Sequence, residues 1–103
     1  MEPLAKAAEL NDDGSLFVRL AQVNLQLGRW GDARTSLDQA FDKGELTDEG
    51  QAHVLYGIAA FNDRKWKTAK RAFNRAQGFD GTAVVAGKWK AYVDREKARL
   101  GVE

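Results

Sequence analysis

The chain nearly repeats itself at an offset of 36 residues, and that spacing constrains its fold more than any single motif. Leu20-Ala21, Leu27-Gly28, Trp30, Ala33, Leu37 and Ala40 are answered by Tyr56-Gly57, Asp63-Arg64, Trp66, Ala69, Phe73 and Ala76. A period between about 20 and 50 residues marks an architecture in which each unit is one supersecondary element and neighbours share a core. The expected fold is therefore all-α, a solenoid of antiparallel helix pairs.

Local patterning agrees with that expectation. From Ser15 to Leu27 the apolar residues Leu16, Phe17, Leu20, Ala21, Val23 and Leu27 follow three- and four-residue spacing, the period of an amphipathic helix, and Gly28 stops it. Trp30 opens a second helix with Ala33, Leu37 and Ala40 on one face, closed by the basic, glycine-terminated Lys43-Gly44. Thr47 is placed to cap a third helix, with Asp48 and Glu49 at the positive end of its dipole. His53, Tyr56, Gly57, Ala60 and Phe61 mark its buried side before Asn62-Asp63 breaks it. A fourth runs from about Trp66 to Gln77 and ends at Gly78. The last, capped near Asp80 or Thr82, carries Val85, Trp89, Tyr92, Val93 and Leu100, while Lys90, Asp94, Arg95 and Lys97 suit the polar outer face of a terminal helix. Small beside large is the packing code: Gly57 costs about 1 kcal/mol relative to Ala inside a helix, a penalty offset if a neighbouring helix packs against its bare backbone.

With 103 residues, one domain is the expected count. It divides into the end of a preceding repeat helix (1–12), a first repeat (15–46), a second (47–79) and a capping helix (80–100). Leu4 and Ala7 have the spacing of Leu37/Ala40 and Phe73/Ala76, so the chain reads as a piece whose earlier hairpin lies partly upstream. No apolar run approaches the roughly 20 residues of a membrane span, so no membrane insertion is expected. The first residues lack the pattern of a secretory signal. There is no cysteine, hence no disulfide or thiolate chemistry. A net charge of +1 hides an asymmetry: residues 1–63 hold 5 Lys/Arg against 11 Asp/Glu, and residues 64–99 hold 11 against 3.

These residues together resemble the tetratricopeptide repeat (TPR) family, whose roughly 34-residue unit sets large and small residues at fixed places. Phe17, Leu20, Ala21, Gly28, Trp30, Ala33, Leu37 and Ala40 match in the first unit; His53, Tyr56, Gly57, Trp66, Ala69, Phe73 and Ala76 match in the second. Asn24 and Ala60 stand where an inner aromatic is expected, Arg64 replaces the loop glycine, the terminal proline is absent and the connector is longer. The resemblance implies a right-handed solenoid that acts as a non-catalytic protein-interaction scaffold. A narrower likeness, carried by residues 43–77 and the closing WKAYVDRE, is to periplasmic TPR proteins associated with TonB–ExbB–ExbD systems of Gram-negative bacteria. It implies an envelope accessory of iron-siderophore uptake with a signal upstream; otherwise the expected compartment is the cytoplasm.

In TPR proteins the first helix of each hairpin lines a groove. Carried onto this chain, the groove positions are Val18, Gln22, Leu25 and Gln26, then Gln51, Val54, Ile58, Phe61 and Asn62, with Lys90 and Asp94 from the closing helix. That lining suits a peptide with apolar anchors. Two readings stand: a partner segment occupies the groove, or Val54, Ile58 and Phe61 pack against preceding repeats or a second copy of the chain. Val18/Gln22 and Val54/Ile58 occupy the places where a carboxylate clamp needs Lys and Asn, which disfavours chaperone tails.

Arg64, Lys65, Lys67, Lys70, Arg71 and Arg75 form a basic stretch without an acidic residue. It reads as the solvated back of a helix, with an acidic protein, nucleic acid or anionic lipid as functional alternatives. His53, the single histidine, stands at the place of Phe17 and Trp89 and is expected to pack rather than react; no second histidine or thiol completes a zinc set. No nucleophile motif, phosphate loop or paired-carboxylate pattern is present, so neither enzyme activity nor a cofactor is expected.

Overall fold

The computed structural model describes residues 14–44, 46 and 48–101. Among them are five helices and no strand: α1 (Ser15–Gln26), α2 (Trp30–Lys43), α3 (Glu49–Asn62), α4 (Trp66–Gln77) and α5 (Ala83–Leu100). The protein is all-α. The expected helix end at 1–12, with Leu4 and Ala7, and the Thr47 cap lie outside the described residues. The chain divides between Asp48 and Glu49 into two compact units.

In the first unit α1 packs against α2. Phe17 and Ala40 form a core with Leu16, Val18, Leu20 and Leu46 around them, and Ala21, Ala33 and Leu37 are fully buried. The reversal between the helices is a helix-ending motif with a left-handed residue just past the end. Gly28 N–H donates to the Leu25 carbonyl at 3.1 Å and Arg29 N–H to the Asn24 carbonyl at 2.9 Å. Gly28 sits at φ 74°, where glycine has no Cβ to clash. Arg29 then turns the chain at φ −91°, ψ 75°, and its carbonyl accepts the first α2 bond, from Ala33 at 2.9 Å. Helix α2 ends at Gly44, φ 74°.

In the second unit α3 packs on α4, and α4 on α5. Val54, Ala60, Ala69, Phe73, Ala76, Ala86 and Val93 form its core, flanked by Ile58, Phe61, Trp66 and Trp89. The α3–α4 reversal reproduces the first one bond for bond at the same offset. Arg64 N–H donates to Phe61 O at 3.0 Å, Lys65 N–H to Ala60 O at 2.8 Å and Ala69 N–H to Lys65 O at 2.9 Å. Lys65 has φ −94°, ψ 76°, matching Arg29. Arg64 takes the place of Gly28 at φ 60°, so here a residue with a Cβ bears the left-handed conformation, at a cost of about 1–2 kcal/mol. Gly57 lies against Phe73; a Cβ there would stand 2.6 Å from the ring Cζ. The bare backbone is what admits the ring.

The start of α5 differs from a side-chain cap. Thr82 precedes the helix, but its hydroxyl donates backward to the Ala76 carbonyl at 2.7 Å and makes no cap bond. It ties the α4–α5 turn to the end of α4. The face of α5 also departs from expectation. Ala86 and Val93 are fully buried and Trp89 is half-buried, stacked on Phe73 at 5.5 Å and 9°. Val85 and Tyr92, expected inside, are exposed at 40% and 39%. The helix packs chiefly on α4, which buries one stripe, and these two residues fall beside it, Tyr92 keeping one ring contact with Phe61 of α3.

Candidate binding surfaces

The groove positions of the first unit all lie on α1. Gln22 and Gln26 are exposed, and Val18 and Leu25 are half-buried beside them. This strip presents free amides next to partly covered apolar carbons, a surface that can pair with peptide groups while gripping a small apolar side chain.

In the second unit the expected positions separate into distinct roles. Gln51 and Ile58 are half-buried, whereas Val54 is buried to 4% and belongs to the core, so it offers no lining. Phe61 is the hub of an aromatic cluster, with ring centroids 5.4 Å from Trp66, 5.8 Å from Trp89 and 5.2 Å from Tyr92. It is a packing residue first. The polar margin is engaged internally as well: Asn62 Nδ2 donates to the Ile58 carbonyl at 2.9 Å, Lys90 Nζ to Gln77 Oε1 at 3.0 Å, and Asp94 pairs with Lys70 at 2.9 Å. Lys90 and Asp94 thus tie α5 to α4 instead of forming its outer face. The Lys70 ammonium bonded to it holds the Asp94 carboxyl below the usual carboxylate range.

The basic stretch is likewise divided. Arg64 and Lys65 sit in the α3–α4 turn, Lys67, Arg71 and Arg75 are exposed along α4, and Lys70 is the one engaged with Asp94. Lys67, Arg71 and Arg75 recur at four-residue steps, so they share one solvated face of α4. His53 is buried and its ring lies over Phe79, with centroids 6.0 Å apart and 27° between planes. Burial, with a smaller push from Arg75, holds its pKa below the usual imidazole value against an opposing pull from Glu49. The corresponding place in the first unit is Phe17, over whose ring stands the Lys43 ammonium at 6.0 Å.

One surface was missed at the sequence level. Val85, Lys88, Trp89, Tyr92 and Arg95 line an open depression of about 450 Å³ along α5. The signal was present, since 85, 88, 92 and 95 recur at three- and four-residue spacing, but treating every bulky apolar residue as inward-facing concealed it. Among the described residues no three His, Asp or Glu side chains converge to hold a metal, and no helix is long and apolar enough to cross a membrane. No family model, curated protein or solved structure matches the chain.

Proposed function

We propose that this chain is a TPR-type protein-interaction module, its helical hairpins stacking as a right-handed solenoid and taking a partner segment on the first helix of each hairpin. The reading is carried by one observation: a single hairpin recurs 36 residues on, down to the individual hydrogen bonds of its turn and its left-handed residue. A chain shaped around a repeated packing unit spends its sequence on scaffold, and function then resides on the surfaces that scaffold displays. In the first unit the exposed amides of Gln22 and Gln26 flank Val18 and Leu25 on α1; in the second, Ile58 stands 36 residues after Gln22 and is half-buried on α3, as is Gln51. The α1 strip favours a neutral peptide with small apolar anchors.

The test is selection of binding peptides from a random display library on the immobilised chain, followed by mapping with backbone amide chemical shifts. Selected peptides should perturb Val18, Gln22, Leu25, Gln26, Gln51 and Ile58, and Gln22→Arg with Gln26→Arg should weaken them while leaving helicity intact. Peptides that perturb only the α4 back or α5 would overturn the assignment.

A further inference from the structure

We infer that the depression on α5 is a second docking surface, distinct from the face proposed above, and that its occupant is an acidic peptide segment with a bulky apolar side chain. Val85, Trp89 and Tyr92 give it an apolar floor, with Lys88 and Arg95 standing beside them. Val84, at the same end of the helix, is 73% exposed. Tyr92 stands 36 residues after Tyr56 and 72 after Leu20, both of which are half-buried within their hairpins. At α5 no further helix follows among the described residues, and the equivalent side chain is 39% exposed, with one side of its ring against Phe61 and Trp89.

Charge complementarity identifies the occupant. Lys88 and Arg95 make no ion pair among the described residues. The carboxylate next along α5, Glu96, is held by Arg99 at 2.8 and 3.2 Å, which leaves its charge largely answered. The wider unit adds to the field, with 11 Lys/Arg against 6 Asp/Glu over residues 49–103. An apolar strip beside two cations that make no ion pair among the described residues recognises a segment in which carboxylates bracket an aromatic or branched side chain. Nucleic acid fits less well. Trp89 is stacked on Phe73 and edge-on to Tyr92, and the Arg95 guanidinium lies 5.6 Å from the Tyr92 ring, so the rings are engaged by neighbours rather than projecting as platforms for bases.

The experiment titrates the full chain, followed by backbone and indole chemical shifts, with three probes: a short synthetic peptide of Glu and Asp around Leu and Phe anchors, its Lys-for-acid counterpart, and a single-stranded oligonucleotide. The acidic peptide should move Val85, Lys88, Tyr92 and the Trp89 indole, with an affinity that falls as salt is raised. Lys88→Glu with Arg95→Glu should weaken it by about tenfold or more at unchanged helicity, and the same variant should gain affinity for the Lys-containing peptide. That gain is readable even if the double variant is somewhat less stable. Equal binding of both peptides, shifts confined to α1 or the α4 back, tighter binding of the oligonucleotide at these residues, or no shifts at millimolar peptide would each overturn the proposal.

Discussion

The two hairpins of this protein share a backbone and differ in what fills it. Phe17, Ala21, Leu37 and Ala40 in the first correspond to His53, Gly57, Phe73 and Ala76 in the second, and all eight are buried. Asn24 and Ser36, a buried polar pair with Nδ2 and Oγ 3.5 Å apart, correspond to Ala60 and Ala72. Gly28 corresponds to Arg64. The differences come in matched sets: a larger ring at 73 accompanies a smaller residue at 57, and losing the amide at 60 accompanies losing the hydroxyl at 72. A hairpin of this kind tolerates either solution provided both halves change together, which is the behaviour expected of a densely packed interior.

Breaking one half of a matched set gives the largest effects. Gly57→Leu should destabilise by about 3 kcal/mol or more, because the added side chain must displace the Phe73 ring, itself stacked on Trp89. Thermal unfolding measures this, and a melting temperature equal to the parent's would show that the ring moves freely. The transplant Gly57→Ala with Phe73→Leu recreates the first hairpin's pair and should cost less than the sum of its single exchanges.

Next in size is Ala60→Asn, which copies the first hairpin's amide without its partner. An amide buried opposite Ala72 lacks the hydroxyl that Asn24 faces, and the penalty should be about 1–3 kcal/mol. Adding Ala72→Ser should recover part of it. Denaturant unfolding of the single and double variants gives the coupling directly, and a coupling of zero would make the Asn24–Ser36 pair incidental.

A smaller effect, with the opposite sign, is expected at the turn. Arg64→Gly relieves a left-handed residue that carries a Cβ, worth about 1–2 kcal/mol, but glycine also loosens the unfolded chain by about 0.4–1 kcal/mol. The net is a gain of a few tenths to about 1 kcal/mol, and Gly28→Arg should lose a similar amount. If both exchanges were neutral, the shared turn geometry would carry no strain.

Much of this comparison was legible in the sequence, for a physical reason. Recurrence at a fixed offset reports packing positions, and packing positions fix helix limits: α2 and α4 begin at Trp30 and Trp66, and α4 ends at Gln77, where the pattern put them. The surface was less legible. Periodicity says which residues lie on one side of a helix but not how many neighbours that side has. Tyr92 and Val85 therefore read as core although α5 packs chiefly on α4 and leaves them at the margin of the buried stripe, and Lys90 and Asp94 read as outward although they bond to Gln77 and Lys70. Val54 and Phe61 show the converse, since residues assigned to an open groove contribute to packing. The hydroxyl of Thr82, bonded back to Ala76, had no signal at all, because its role depends on a turn whose path only the fold defines.

The smallest effect separates the hairpins by pH. His53 is buried where the first hairpin has Phe17, and burial holds its folded-state pKa below the usual 6.5. Above that value the ring is neutral in both folded and unfolded chains, and the stability of the neutral packing is fully present. As pH falls below it, the unfolded chain takes up a proton more readily than the folded one, and stability declines until the folded-state pKa is passed. His53→Phe removes the titration and supplies the ring that the first hairpin uses, so the variant should show a flatter stability profile between about pH 7 and pH 5 while stacking equally well on Phe79. Unfolding curves across that range decide it: a slope unchanged by the exchange would assign the pH response to the carboxylates and leave His53 as an aromatic ring with no electrostatic consequence.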